Sequence, residues 1–152
     1  MMKKMVPILL VLLAAGFGSA QSELEEAFEK GRRLLQDGYD EFDVNKLNQG
    51  RGLFERLAAD ESVAKFAHYQ VALADYRLSV YYRQNNANQV KTMLDDAVKH
   101  LDKAIALDGE FAEAHALLST CLGQKISIEP SLAMSVGPQA GMTMARALTQ
   151  AP

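Results

Sequence analysis

Cysteine is nearly absent from this chain, with Cys121 the only one. A single thiol forms no internal disulfide, so packing must hold the fold together. Long apolar runs are missing as well. The longest, Met5 to Ala15, is about eleven residues, short of the ~20 that a membrane-spanning helix needs. There is no phosphate-cradling glycine loop, no C-x-x-C and no calcium-loop pattern. Neither Ser131 nor Ser135 sits in the G-x-S-x-G of a nucleophile elbow. Positive charge is the scarcer sign, 16 Lys and Arg against 19 Asp and Glu. That balance opposes non-specific binding to nucleic acid or to anionic lipid.

The residues able to carry chemistry are scattered. His68, His100 and His115 fall on three different helical stretches, and no two have the i, i+4 spacing that sets a pair of ligands on one helix face. Asp96 and His100 do have that spacing, which is half a metal site; the plainer expectation is a solvated carboxylate beside a surface or half-buried imidazole. His115 and Cys121 are six apart on one helix and point in different directions. Cys121 lies on the small-residue face, where a buried thiol acts as a small hydrophobe. The acidic pairs Glu25-Glu26 and Asp95-Asp96 read as solvated faces. The expectation is no catalytic residue, no metal and no cofactor. An accessory subunit or small hydrolase using His68, His115 or Cys121 is the alternative, and it requires those side chains to converge in one cleft.

Residues 1–20 read as a targeting segment. Lys3 and Lys4 open it, the apolar core follows, and Gly18-Ser19-Ala20 supplies small residues for cleavage after Ala20. Without it the chain has about 132 residues, one domain's worth. Removing Lys3 and Lys4 leaves 14 basic against 19 acidic residues, a net charge of −5. The expected location is periplasmic or secreted, with no stable membrane insertion after cleavage.

What the chain does have is helical periodicity that repeats. Ala97, Val98, Leu101, Ala104, Ile105 and Leu107 recur at helical spacing, Asp108-Gly109 interrupts, and Phe111, Ala114, Leu117, Leu118 and Cys121 resume it. Gly109 is placed where a helix often ends in a left-handed residue. Three segments align, starting at Gly50, Ala97 and Ala140. Each has a bulky apolar residue four on (Phe54, Leu101, Met144) and Leu57, Ala104 or Ala147 seven on. Each then reaches a turn at Ser62, Gly109 or Pro152. A fixed phase of this kind marks a helical repeat array. The next helix keeps its register too: Ala67 is ten after Leu57, and Ala114 is ten after Ala104.

On these residues the chain resembles the tetratricopeptide repeat family from about Leu24 onward, most specifically in that offset and in the A-x4-P ending from Ala147 to Pro152. The resemblance implies an all-α fold of antiparallel helix pairs, about three of them, stacked as a short right-handed α-solenoid over residues 21–152. Gly50, Leu57, Ala67, Ala97, Ala104, Ala114, Ala140 and Ala147 become the repeat-packing positions. The period of about 43–47 residues is longer than the usual ~34 and also suits HEAT-type repeats, which stay open as the alternative fold.

Helix limits follow from local signals. Ser22 to Glu25 has the S-x-x-E form of a capping box, with the first helix ending at Gln36-Asp37-Gly38. Asp43 caps a second helix and Ser62 a third, from about Val63 to Arg83. A fourth runs from about Gln89 to Leu107 and a fifth from Glu110 to Leu122. Gly123 to Gly137 reads as an ordered irregular connection, and Pro138 opens the last helix. An array of this kind needs a polar outer face on its terminal helix, yet this one carries Met142, Met144, Ala147 and Leu148. Either the chain is a piece of a longer array or a partner covers that helix.

The third helix is the richest in aromatics. The resemblance puts Phe66, Tyr69, Leu73, Tyr76 and Arg77 toward a concave groove that holds an extended peptide or a partner helix. Tyr and Arg give large contact area with a polar end; most of the tyrosines are also what a core would use. The equivalent positions on the fifth helix, Glu113, Ala116 and Thr120, make a smooth, neutral surface. The first functional reading is an exported, non-enzymatic adaptor or scaffold for a protein or peptide. A repeat fragment that self-associates through its C-terminal helix is a further alternative.

Overall fold

A computed structural model describes the backbone of residues 8–84 and 86–150, and the side chains from residue 20 onward. The basic start of the leader and Pro152 lie outside the described residues. The described chain forms α1 (Ile8–Asp40), α2 (Val44–Leu57), α3 (Ala64–Tyr82), α4 (Ala87–Leu107), α5 (Ala112–Ile128), a 3-10 turn at Pro130–Leu132 and α6 (Ala133–Gln150). No strand occurs among the described residues.

Each helix lies against the next one along the chain, and in addition α1 touches α3 and α3 touches α5. Successive helices run antiparallel. Gly38 faces Leu47, Gly50 faces Leu35 and Gly31 faces Phe54 across α1 and α2. Lys65 meets Asp108 and His68 meets His100 across α3 and α4. Ser119 donates to the Ala140 carbonyl and Gln150 to that of Gly109 across α5 and α6.

Two apolar clusters share α3. The first joins Leu35, Leu47 and Phe54 to Ala67, Val71, Ala74 and Leu78. The second joins Ala72 of α3 to Leu94, Ala97 and Leu101 of α4 and to Ala114, Leu118 and Cys121 of α5. Covered on both sides, α3 buries most of its circumference, including the polar Asp75 and Ser79. Each fully buried Leu, Val or Phe here contributes roughly 1.5–3 kcal/mol.

The aligned positions fall on the second helix of each antiparallel pair. Gly50 is buried against α1, Ala97 and Ala104 are fully buried on α4, and Ala147 is buried on α6 with Ala140 half-buried. Leu57 is half-buried at the end of α2, while Ala67 and Ala114 are fully buried near the starts of α3 and α5. Small residues are needed where backbones meet. A methyl added at Gly50 would lie 2.6 Å from Leu35 Cδ2, and one at Gly31 2.7 Å from the Phe54 ring.

Several local expectations are corrected. Helix α1 passes through Ser22 without a break, so the capping box is interior: once nucleated, a helix propagates through the Leu- and Ala-rich stretch before Ser22 at little cost. It also continues past Gly38 to Asp40. Gly38 is a contact residue, because a methyl there would sit 2.8 Å from Leu47 N and 3.1 Å from Asp43 O. The chain turns instead at Phe42, whose φ is 55°, a left-handed conformation that few non-glycine residues adopt. Asp43 does cap α2, accepting from the N–H groups of Asn45 and Lys46. Ser62 caps nothing; its N–H and Oγ both donate to Asp60, and Val63 precedes α3 without a side-chain bond. No described glycine has positive φ. The turn at Gly109 is fastened by the Asp108 carboxylate, which accepts from the Glu110 N–H and from Lys65 Nζ.

The stretch from Gly123 to Gly137 is mostly helical. Helix α5 runs on to Ile128, held to α4 by Lys125 pairing with Asp95 and Glu129 with Lys91. Helix α6 begins at Ala133, with Pro138 inside it. The proline withholds a donor from the Met134 carbonyl on a side of the helix that faces solvent, where the loss is least costly.

Candidate functional site

The contact between α1 and α3 joins helices that run in the same direction. Leu24 and Phe28 stand beside Val63 and Phe66, while Leu35 and Tyr39 stand beside Arg77. Two open depressions follow this seam. The larger, about 1050 Å³, has apolar walls of Leu24, Phe28, Val63 and Phe66, with Glu25, Glu29 and Asp60 among its lining groups. The smaller, about 390 Å³, is bounded by Arg32, Arg33 and Gln36 of α1 and by Tyr69, Leu73 and Arg77 of α3. Glu29 borders both. The seam between α1 and α3 therefore changes character along its length, from an apolar depression with acidic groups to a polar one with three guanidinium groups.

Four of the five expected groove residues line these depressions: Phe66 the larger, and Tyr69, Leu73 and Arg77 the smaller. Tyr76 goes elsewhere, half-buried against the second cluster. Arg77 is committed to the helix contact. It donates to the Leu35 carbonyl at 2.8 Å and to Gln36 Oε1 at 3.4 Å, and it lies 4.8 Å over the Tyr39 ring. Burial lowers its pKa, against Tyr39, Asp40 and Tyr69. Phe66 and Tyr69 both lean on Phe111, the residue just before α5, with ring centroids 5.6 and 5.2 Å away. Burial, with Glu113 nearby, raises the Tyr69 phenol pKa, so this ring presents a neutral hydroxyl.

The candidate catalytic side chains do not meet. His115 is buried on α5, its Nε2 bonded to the Gly109 carbonyl at 2.9 Å. Cys121 is buried and its thiol pushed up to about 12 by desolvation, far from the thiolate a nucleophile needs. His68 meets neither; its Nδ1 lies 3.0 Å from Nδ1 of His100 on α4. Burial lowers the pKa of His68, with Lys103 adding to the effect. His100 is pushed down to about 4 by burial, by His68 and by the charges of Lys103 and Arg51, against Asp96. The pair is neutral at pH 7, one ring donating to the other. Among the described residues no cluster of three or more His, Cys, Asp or Glu could hold a metal ion.

Two features escaped the sequence reading. The histidine pair joins residues far apart in the chain. Asp75, fully buried on α3, is paired by Arg51 of α2, which also reaches Glu55 and approaches Asp96 of α4 at 3.9 Å. A lone acid on an otherwise apolar helix face was the available signal, since a buried carboxylate needs a cation.

No protein-family model matches the chain, and no curated protein or solved structure is similar to it. Among the described residues no helix is long and apolar enough to cross a membrane.

Proposed function

We propose that this chain is an exported tetratricopeptide-like array that works as a docking module, holding an extended peptide or a partner helix in the channel between α1 and α3 and breaking no bond. One observation carries the reading: Tyr69 and Leu73 share an open depression with Arg32 and Arg33 of α1, and Glu29 separates it from a larger apolar one on the same seam. The tyrosine ring gives large contact area with few torsions to fix, and guanidinium groups donate to a polar backbone. The pairing of α1 with α3, and of α3 with α5, supports the stacked-pair arrangement that the resemblance implies.

Selection of peptides from a displayed library against the full chain, followed by titration of the best binders, tests this. Replacing Tyr69 and Leu73 together by Ala should weaken those binders about tenfold or more, with the helical circular dichroism unchanged. Equal affinity for both proteins, or no enriched peptide, overturns the reading. Export has its own check. Mass spectrometry of the chain recovered from a periplasmic extract should find it beginning at Gln21; a chain still carrying residues 1–20 overturns cleavage.

A further inference from the structure

We propose that the outer face of α6 is a homotypic docking surface, on which the same face of a second copy packs antiparallel. The inner face of α6, through Ala140, Thr143 and Ala147, lies on α5. Its opposite face presents Met134, Pro138, Gly141, Ala145 and Leu148, all exposed, with Met134 at 90% and Leu148 at 73%. The spacing is 4, 3, 4, 3, the seam of a two-stranded coiled coil. Arg146 is the only charged residue in the helix.

The register of the three aligned segments shows what such a face does elsewhere in the molecule. Met134, Pro138, Gly141 and Leu148 stand where α4 has Lys91, Asp95, Val98 and Ile105. There, Lys91 and Asp95 pair with Glu129 and Lys125, which lie at the end of α5, and Val98 and Ile105 pack into the second cluster. The counterpart of Gly141 on α2 is Arg51, which pairs with Asp75 of α3. Helices α2 and α4 thus each have a neighbour on two sides, whereas α6 has only α5 and the short turn before it among the described residues.

The occupant follows from charge and from symmetry. The ionic groups that match α4 to α5 and α2 to α3 are replaced on α6 by Met134, Pro138 and Gly141, so the face asks for no complementary charge. A chain of net charge −3 can meet itself there without like charges in contact. The stripe is also nearly palindromic about Gly141. A two-fold axis through that residue sets Met134 against Leu148 of the second copy and Pro138 against Ala145. A Cβ at Gly141 would meet nothing within 4 Å, so two backbones can approach closely there. An isologous contact of this kind closes on itself as a dimer. A seam of about 21 Å from Met134 to Leu148 buries less than the ~1,200–2,000 Å² of a stable interface, so association is expected in the micromolar range or weaker.

Sedimentation equilibrium of the full chain from about 10 to 500 μM tests it. The expected result is a concentration-dependent dimer that Leu148→Glu abolishes and that Leu148→Glu combined with Met134→Lys restores, because the two positions face each other across the axis. Both are exposed, and helical circular dichroism should be unchanged. A monomer at every concentration overturns the proposal. So does a dimer indifferent to Leu148→Glu, which is held elsewhere, or one that the double variant does not recover, which is not antiparallel about Gly141.

Discussion

The buried pair of Arg51 and Asp75 sets two expectations at the level of single residues. Arg51→Ala leaves a carboxylate with no exposure and no cation, so it should cost about 3–5 kcal/mol at pH 7. Replacing both residues by apolar ones of similar volume should be close to neutral. Urea titrations of the single and double variants would show the difference. The second expectation is a pH dependence in which two groups oppose each other. His100 is held down to about 4. The stability it contributes is complete above its ordinary value near 6.5 and is lost as pH falls through 4. Asp75 is held up to about 6, chiefly by burial and against the pull of Arg51. The stability linked to it is complete below its ordinary value near 3.9 and is lost as pH rises through 6. Between about pH 4 and 6 the two partly cancel. Asp75→Asn should therefore make stability fall more steeply on acidification, and His100→Gln should make it fall on alkalinisation instead. A wild-type slope shared by both variants would contradict this assignment.

The start of α2 and the limits of α3 and α4 were legible to within a couple of residues, because their periodicity and the Asp43 cap point the same way. The start of α1 and the junction of α5 with α6 were not. A local capping motif at Ser22 competes with a preceding Leu- and Ala-rich stretch that itself propagates helix, and that stretch prevails. The β-branched Ile126 and Ile128 argue weakly against helix, but the ion pairs from Lys125 and Glu129 to α4 outweigh them. Propensity is a prior that tertiary contacts override. Glycines sort the same way. Gly38→Ala meets backbone atoms that cannot move aside, and overpacking of this kind costs about 1–3 kcal/mol. Gly123 is exposed inside α5 with nothing near its Cβ, so Gly123→Ala should stabilise by roughly 0.5–1 kcal/mol. Thermal unfolding of the two variants should move in opposite directions.

For the molecule as a whole, α3 is the shared element: it sits in both clusters and is covered from both sides. Amide hydrogen exchange should be slowest in α3. In dilute monomer it should be fastest in α6, whose outer face carries no neighbouring helix among the described residues. Helices that pack chiefly against their neighbours in the chain grade stability in this manner. Part of the lining of the proposed groove was legible. Phe66, Tyr69, Leu73 and Arg77 were assigned to it from the resemblance, but their counterparts Arg32 and Arg33 lie on a helix read only for its apolar stripe.

Should residues 1–20 be cleaved off, as the proposed export implies, the unbroken helix through Ala20 has a chemical consequence. Ala20 and Gln21 border the larger depression. Cutting between them removes one flank of that hollow and creates an α-ammonium group at its lip, close to Glu25 and at the positive end of a freshly exposed helix start. The precursor and the trimmed chain would then offer differently charged mouths to the same guest, so that maturation itself selects what enters.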